Sequence, residues 1–115
     1  MDIQRINPET RWSDATVYQG LVHFVEVPAD LSADMRGQTE QVLAQAEKTL
    51  ALAGSNKSRL LMATLYVTDL RNVPAMNEVW DAWLPPGCAP VRACLKVELV
   101  SPGMLVEIAF VAAPA

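Results

Sequence analysis

An arginine at the mouth of one strand-forming run and an acid in the middle of another are the residues of this chain best placed to do chemistry. Arg92 stands in Pro90-Val91-Arg92-Ala93-Cys94, continued by Leu95-Lys96-Val97-Glu98-Leu99. Alternation puts Arg92, Cys94, Lys96 and Glu98 on one face of that run and Ala93, Leu95, Val97 and Leu99 on the other. A guanidinium makes two charge-assisted bonds to a carboxylate at once and never loses its proton, so Arg92 can hold an organic acid. The alternative is a surface arginine whose stem snorkels at a strand end. Glu107 lies inside Met104-Leu105-Val106-Glu107-Ile108-Ala109-Phe110-Val111. A carboxylate there is costly unless it is paired, functional, or turned to solvent at a sheet edge. Cys88 and Cys94 match no common zinc spacing, and no ligand cluster asks for a metal or a cofactor. The lone His23, in mid-strand, reads as a half-buried packing residue rather than a base.

Composition narrows the setting for that chemistry. With 115 residues, 51% hydrophobic and 19% charged, residues 1–115 read as one globular domain. A formal charge of −4 argues against nucleic acid as the main partner, because phosphate binding needs a basic face. No apolar run reaches membrane-spanning length, and Met1-Asp2-Ile3-Gln4-Arg5 lacks the pattern of a signal peptide. A cytoplasmic protein without a disulfide is therefore expected.

The elements that must position Arg92 and Glu107 follow from periodicity. Residues 1–15 are polar, irregular in period and broken at Pro8; Trp12, between Arg11 and Ser13-Asp14, is either a lid on the core or a ligand platform. Ala15–Tyr18 and Leu21–Val27 are strand-like, and Gln19-Gly20 between them suits a tight hairpin. A helix capped by Asp30 or Ser32 runs to Ala53. It buries Met35, Thr39, Val42, Leu43, Ala46, Leu50 and Ala53, with Gly54 as its stop. Leu60–Val67 is apolar on both parities, so both faces of this strand should be buried. Two helices cannot cover both faces of the sheet, and a second copy of the chain is the simplest cover. A second helix, Val73–Leu84, is capped by Asn72 and buries Val73, Met76, Trp80, Trp83 and Leu84. Asn77 lies on that side, either bonded to backbone or lining a cavity. The stiff loop Leu84–Pro90 then delivers Arg92. If the last two strands formed a simple hairpin about Pro102, Glu107 would face Lys96, roughly 13 Å along the strand from Arg92.

The order strand-strand-helix-strand-helix-strand-strand resembles the RidA (YjgF/YER057c/UK114) family of small imine and enamine deaminases. The carriers are Asp69-Leu70, Met76-Asn77, Trp80 and Trp83, Ala89-Pro90-Val91-Arg92-Ala93-Cys94 and Val106-Glu107-Ile108. The chain is similar in particular to a branch of small bacterial members. That similarity lies in Arg11-Trp12-Ser13-Asp14, Gly54-Ser55-Asn56-Lys57-Ser58 and Trp80-Asp81-Ala82-Trp83. The resemblance implies an α+β, chorismate-mutase-like fold (ββαβαββ) whose mixed sheet carries two helices on one face. It implies a homotrimer with sheets facing inward, ligand clefts between subunits, and last strands that are not neighbours. It also implies roles: Arg92 takes the carboxylate of an imino or keto acid, the backbone about Ala93 and Cys94 orients the substrate, and Glu107 positions or activates water. No metal or cofactor is implied, and Cys94 becomes a packing and backbone-contact residue. Asn77, Trp12 and Phe24 complete the expected substrate-binding set. Where many members carry small residues before the Val/Ile-Pro that ends the second strand, this chain has Phe24-Val25-Glu26, expected to narrow the pocket and add a carboxylate to it.

Overall fold

Six strands form one mixed sheet in the order β1-β2-β3-β6-β4-β5 in a computed structural model that describes residues 2–115. The strands are β1 (Gln4–Ile6), β2 (Ala15–Tyr18), β3 (Leu21–Glu26), β4 (Leu60–Val67), β5 (Val91–Lys96) and β6 (Val106–Ala112); the helices are α1 (Met35–Leu52) and α2 (Val73–Trp83). Only β4 and β5 run parallel. Among the described residues no helix is long and apolar enough to cross a membrane.

The hairpin β2–β3 closes with Tyr18 opposite Leu21, and Gln19 and Gly20 at φ 51 and 82 supply the two left-handed residues that a tight turn needs. The short strand β1, in a region whose polarity and irregular period suggest no element, pairs with β2 as an edge strand. Its three residues are too few for a period to show.

Helix α1 begins at neither Asp30 nor Ser32. Asp34 is its N-cap, accepting from the Gly37 N–H at 2.9 Å, while Asp30 accepts from Ser32 in a turn before the helix. The C-terminus falls where Gly54, at φ 77, was expected to stop it. Asn72 likewise precedes α2 without a side-chain cap bond; Asp69 instead accepts from the Arg71 N–H in a 3-10 turn ahead of the helix.

The core lies between the helices and one face of the sheet. Val22 and Phe24 of β3, Ala63, Leu65 and Val67 of β4, and Val106, Ile108, Phe110 and Ala112 of β6 are all buried there, with Val42, Leu43, Ala46 and Leu50 of α1 and Met76 and Trp80 of α2. Phe24 stacks on Phe110 with ring centroids 4.8 Å apart. The other face carries no helix. Met62 is 40% exposed and Thr64 and Tyr66 are half-buried, so within one copy β4 buries only one of its two apolar faces.

Buried Gln38 went unread in the sequence. Its Nε2 donates to the carbonyls of Gly103, Ala33 and Leu31 at 2.9, 3.1 and 3.3 Å, and its Oε1 accepts from Leu105 N–H at 2.8 Å. One amide thereby ties the start of α1 to the chain that enters β6, which carries Glu107.

Candidate active site

Arg92 owes its surroundings to register. It pairs with Ala63 of β4, whose side chain is wholly buried on the helix side, so Arg92 leaves the sheet on that side as well. Strand β5 is the sheet edge, and from there the guanidinium reaches α2. Its Nη2 donates to Asn77 Oδ1 at 2.6 Å, and its carbon sits 5.5 Å from the centroid of Trp80. Asn77 and Trp80 are three apart on one helix face, which lets a single turn of α2 grip the arginine from two directions. Of the two readings open for Asn77, it bonds a side chain of the site rather than backbone. One N–H of the fork is thus committed, and the others stay available to a planar acid.

The free edge of β5 offers backbone as well. Val97 N–H donates to Val67 O at 2.8 Å, so by alternation Ala93 and Leu95 turn their backbone groups toward β4. Arg92, Cys94 and Lys96 turn theirs outward. Within one copy Cys94 is exposed and Ala93 is half-buried.

Glu107 stands elsewhere. Strand β6 lies between β3 and β4, in the middle of the sheet rather than at an edge, and it does not neighbour β5. Glu107 pairs with Tyr66, whose parity is opposite to that of Ala63, so its carboxylate belongs to the helix-free face. There it borders an open cleft of about 340 Å³ lined also by Val25, Tyr66, Val97, Leu99 and Ala109. Within one protomer Asn77, Trp80 and Arg92 come together, and Glu107 does not join them.

The remaining expected residues scatter. Phe24 is 4% exposed and serves the core through its stack on Phe110, away from Arg92. Trp12 is 65% exposed and so is no lid on the core. His23 is exposed rather than half-buried, because its parity in β3 is that of the helix-free face. Of Phe24-Val25-Glu26, only Val25 faces that side. Glu26 turns toward α1, where its carboxylate accepts from Thr49 Oγ1 at 2.5 Å and Gln45 Nε2 at 3.3 Å. Burial raises the pKa of Glu26 above its ordinary value, more than these bonds lower it, and the charge of Asp14 adds to the rise. The bare strand pattern predicts the direction of Glu26, but not the polar partners waiting on α1.

A family model described as "Endoribonuclease L-PSP" matches residues 2–114. The RutC family protein YoaB of Escherichia coli K12 is 43% identical over 113 residues, which is 98% of this chain and 99% of that protein. The chain belongs to the RutC/YjgF family. A second RutC family protein, from Haemophilus ducreyi, is 41% identical over 112 residues and 96% of each chain. Among solved structures, a YjgF family member from Neisseria meningitidis superposes with a TM-score of 0.96 at 37% identity, over 100% of this chain and 97% of that one. A protein from Salmonella typhimurium described as a putative translation initiation inhibitor superposes with a TM-score of 0.90 at 44% identity, over 96% of each. The α+β fold, a mixed sheet with two helices, is thus the fold of RutC/YjgF proteins.

Proposed function

We propose that this RutC/YjgF protein is a cytoplasmic 2-imino/enamino acid deaminase that works as a homotrimer and hydrolyses reactive imines to 2-oxo acids and ammonia. The observation that carries this reading is the Arg92 fork, held by Asn77 and Trp80 at an open strand edge with donors to spare. In this role Arg92 clasps the substrate carboxylate and the outward backbone groups of Cys94 orient the substrate beside it. Glu107 positions a water and takes its proton as the water adds to the imine carbon. Glu107 hands that proton to the nitrogen to complete the carbinolamine, and a second relay moves the hydroxyl proton to the amine, which leaves as ammonia while the C–O bond becomes the carbonyl of the 2-oxo acid. Imines hydrolyse unaided, so orientation and proton relay suffice, without a metal or cofactor.

The trimer enters because Arg92 and Glu107 of one copy leave opposite faces of the sheet. Apposing helix-free faces supports clefts to which more than one copy contributes, and it covers Met62, Tyr66, Val25 and Leu95, which a lone chain leaves exposed or half-exposed. A nuclease, which the family model's description names, finds no support in a chain of charge −4.

The same separation favours a second reading, in which the trimer holds a small carboxylate at Arg92 without turning it over. Ammonia and keto-acid release from an imine generated in situ, followed beside calorimetry with 2-oxo acids, distinguishes the two. The deaminase accelerates release, and Arg92→Ala abolishes the gain. Binding without acceleration establishes the carrier, and neither effect removes both.

A further inference from the structure

Between α1 and β4, the turn Gly54-Ser55-Asn56-Lys57-Ser58 sends a cation back toward α2. Asn56 Oδ1 accepts from the Ser58 N–H at 3.0 Å and caps a single 3-10 turn, Lys57–Arg59. Ser55 Oγ donates to Ala113 O at 2.6 Å, so the backbone is tied on either side of Lys57. From that turn Lys57 Nζ meets Glu47 Oε1 of α1 at 3.0 Å and stands 5.4 Å from the centroid of the Trp83 ring. Its side chain is only one-third exposed, which makes the attraction to the ring stronger than on an open surface.

Trp83 in turn meets Trp80, with centroids 5.8 Å apart and planes inclined at 44°. Trp80 meets Arg92, whose guanidinium carbon lies 5.5 Å from its centroid. Asn77, Trp80 and Trp83 follow one another at three-residue steps, so one stripe of α2 carries the whole series. The indole N–H of Trp83 is buried and, among the described residues, is the buried side-chain polar atom left without a hydrogen-bond partner. No directional bond therefore sets the angle of this ring. The cation over its face and the packing against Trp80 set it instead.

We propose that Lys57 is a positioning residue for Arg92. Its ammonium fixes the angle of Trp83, Trp83 fixes that of Trp80, and Trp80 presents the face on which the guanidinium lies. The proposal deepens the reading of Arg92 as a carboxylate clasp and rests on it for its effect on binding. Asn77 alone, at 2.6 Å, holds one N–H and leaves the fork free to turn about that bond. The indole series holds the plane as well, and a fork oriented in advance loses less freedom when the acid arrives.

The test follows the Arg92 Nε–Hε NMR resonance of the whole protein, identified by its loss in Arg92→Ala, beside calorimetry with pyruvate. Lys57→Met keeps the stem and removes the charge, Lys57→Arg restores the charge, and Lys57→Met with Glu47→Gln keeps the net charge of the parent. Lys57→Met and the double variant should both displace the resonance and weaken pyruvate about threefold, the worth of one partly exposed cation–π contact. Lys57→Arg should return both to the parent values, and in a Trp83→Leu background Lys57→Met should add nothing. A resonance unmoved by Lys57→Met overturns the proposal. So do recovery in the double variant, which would trace the effect to net charge, no rescue by Lys57→Arg, or the same effect with and without Trp83. A displaced resonance with unchanged pyruvate affinity overturns it too. A parent protein that binds no pyruvate removes the carboxylate reading, and the resonance then decides for or against Lys57 by itself.

Discussion

Arg92 and Glu107 project from opposite faces of the same sheet. Arg92 is level with Ala63 on one side of β4 and Glu107 with Tyr66 on the other, and three residues along a strand invert the face. A single copy cannot close both around a small metabolite. Division of the site between copies is the physical content of the proposed assembly.

Met62→Lys on the helix-free face should therefore dissociate the particle while leaving the protomer folded, because Met62 is 40% exposed in one copy. Light scattering coupled to gel filtration reads the mass. An unchanged trimer would mean that this face is not the contact, and a monomeric parent protein would remove the assembly altogether.

Arg92→Ala should weaken 2-oxo acid binding roughly 100-fold, since a charge-assisted fork contact is lost. Asn77→Ala leaves the charge but frees the guanidinium, so KM should rise about tenfold with kcat little changed. Equal kinetics in Asn77→Ala and the parent would show that the 2.6 Å bond does not orient the site.

Glu107→Gln should lower kcat about 100-fold, the usual worth of a proton relay, and leave 2-oxo acid affinity intact. Calorimetry beside turnover separates these effects. A fall in affinity as large as the fall in rate would assign Glu107 to binding instead.

Gln38→Ala removes an amide that satisfies three carbonyls in two segments, and the Leu105 N–H. Stranding those buried groups should cost about 3 kcal/mol, measured by denaturant unfolding. A loss below about 1 kcal/mol would show that water replaces the amide.

Glu26 has its folded pKa above the ordinary 4.5. Between 4.5 and that higher value the folded state binds more protons than the unfolded, so its contribution to stability falls as pH rises and stays low above the window. Glu26→Gln should remove this fall and gain stability near neutral pH. Thermal melts against pH that run parallel for the two proteins would contradict it.

Much of this fold was legible because periodicity reports burial. The apolar spacing of α1 named Met35, Thr39, Val42, Leu43, Ala46 and Leu50, and that of α2 named Met76 and Trp80, all of them buried, and Gly54 marked a helix end. The order of strands was not legible from pattern, because pairing is non-local. Only the family resemblance kept β5 and β6 apart, where a hairpin about Pro102 would have joined them. Caps failed for a related reason: Asp30, Ser32 and Asp34 all suit the role, and tertiary context chose among them. At the site, an arginine before a strand was visible, and so was an asparagine that needed a partner, but not that each was the other's. Phe24 misled because its distance in sequence from Pro28 says nothing of which face it takes.

Strand β6 comes after every other element in the chain yet occupies the middle of the sheet, between β3 and β4. Until residues 106–112 arrive, β1-β2-β3 and β4-β5 have no shared neighbour and Phe24 has no ring to meet. The nascent polypeptide thus carries two sticky half-assemblies that cannot consolidate before synthesis is nearly over, and its contacts span long loops that slow collapse into the native form. Loss of folding on truncation of even this short C-terminal segment follows from the position of one strand.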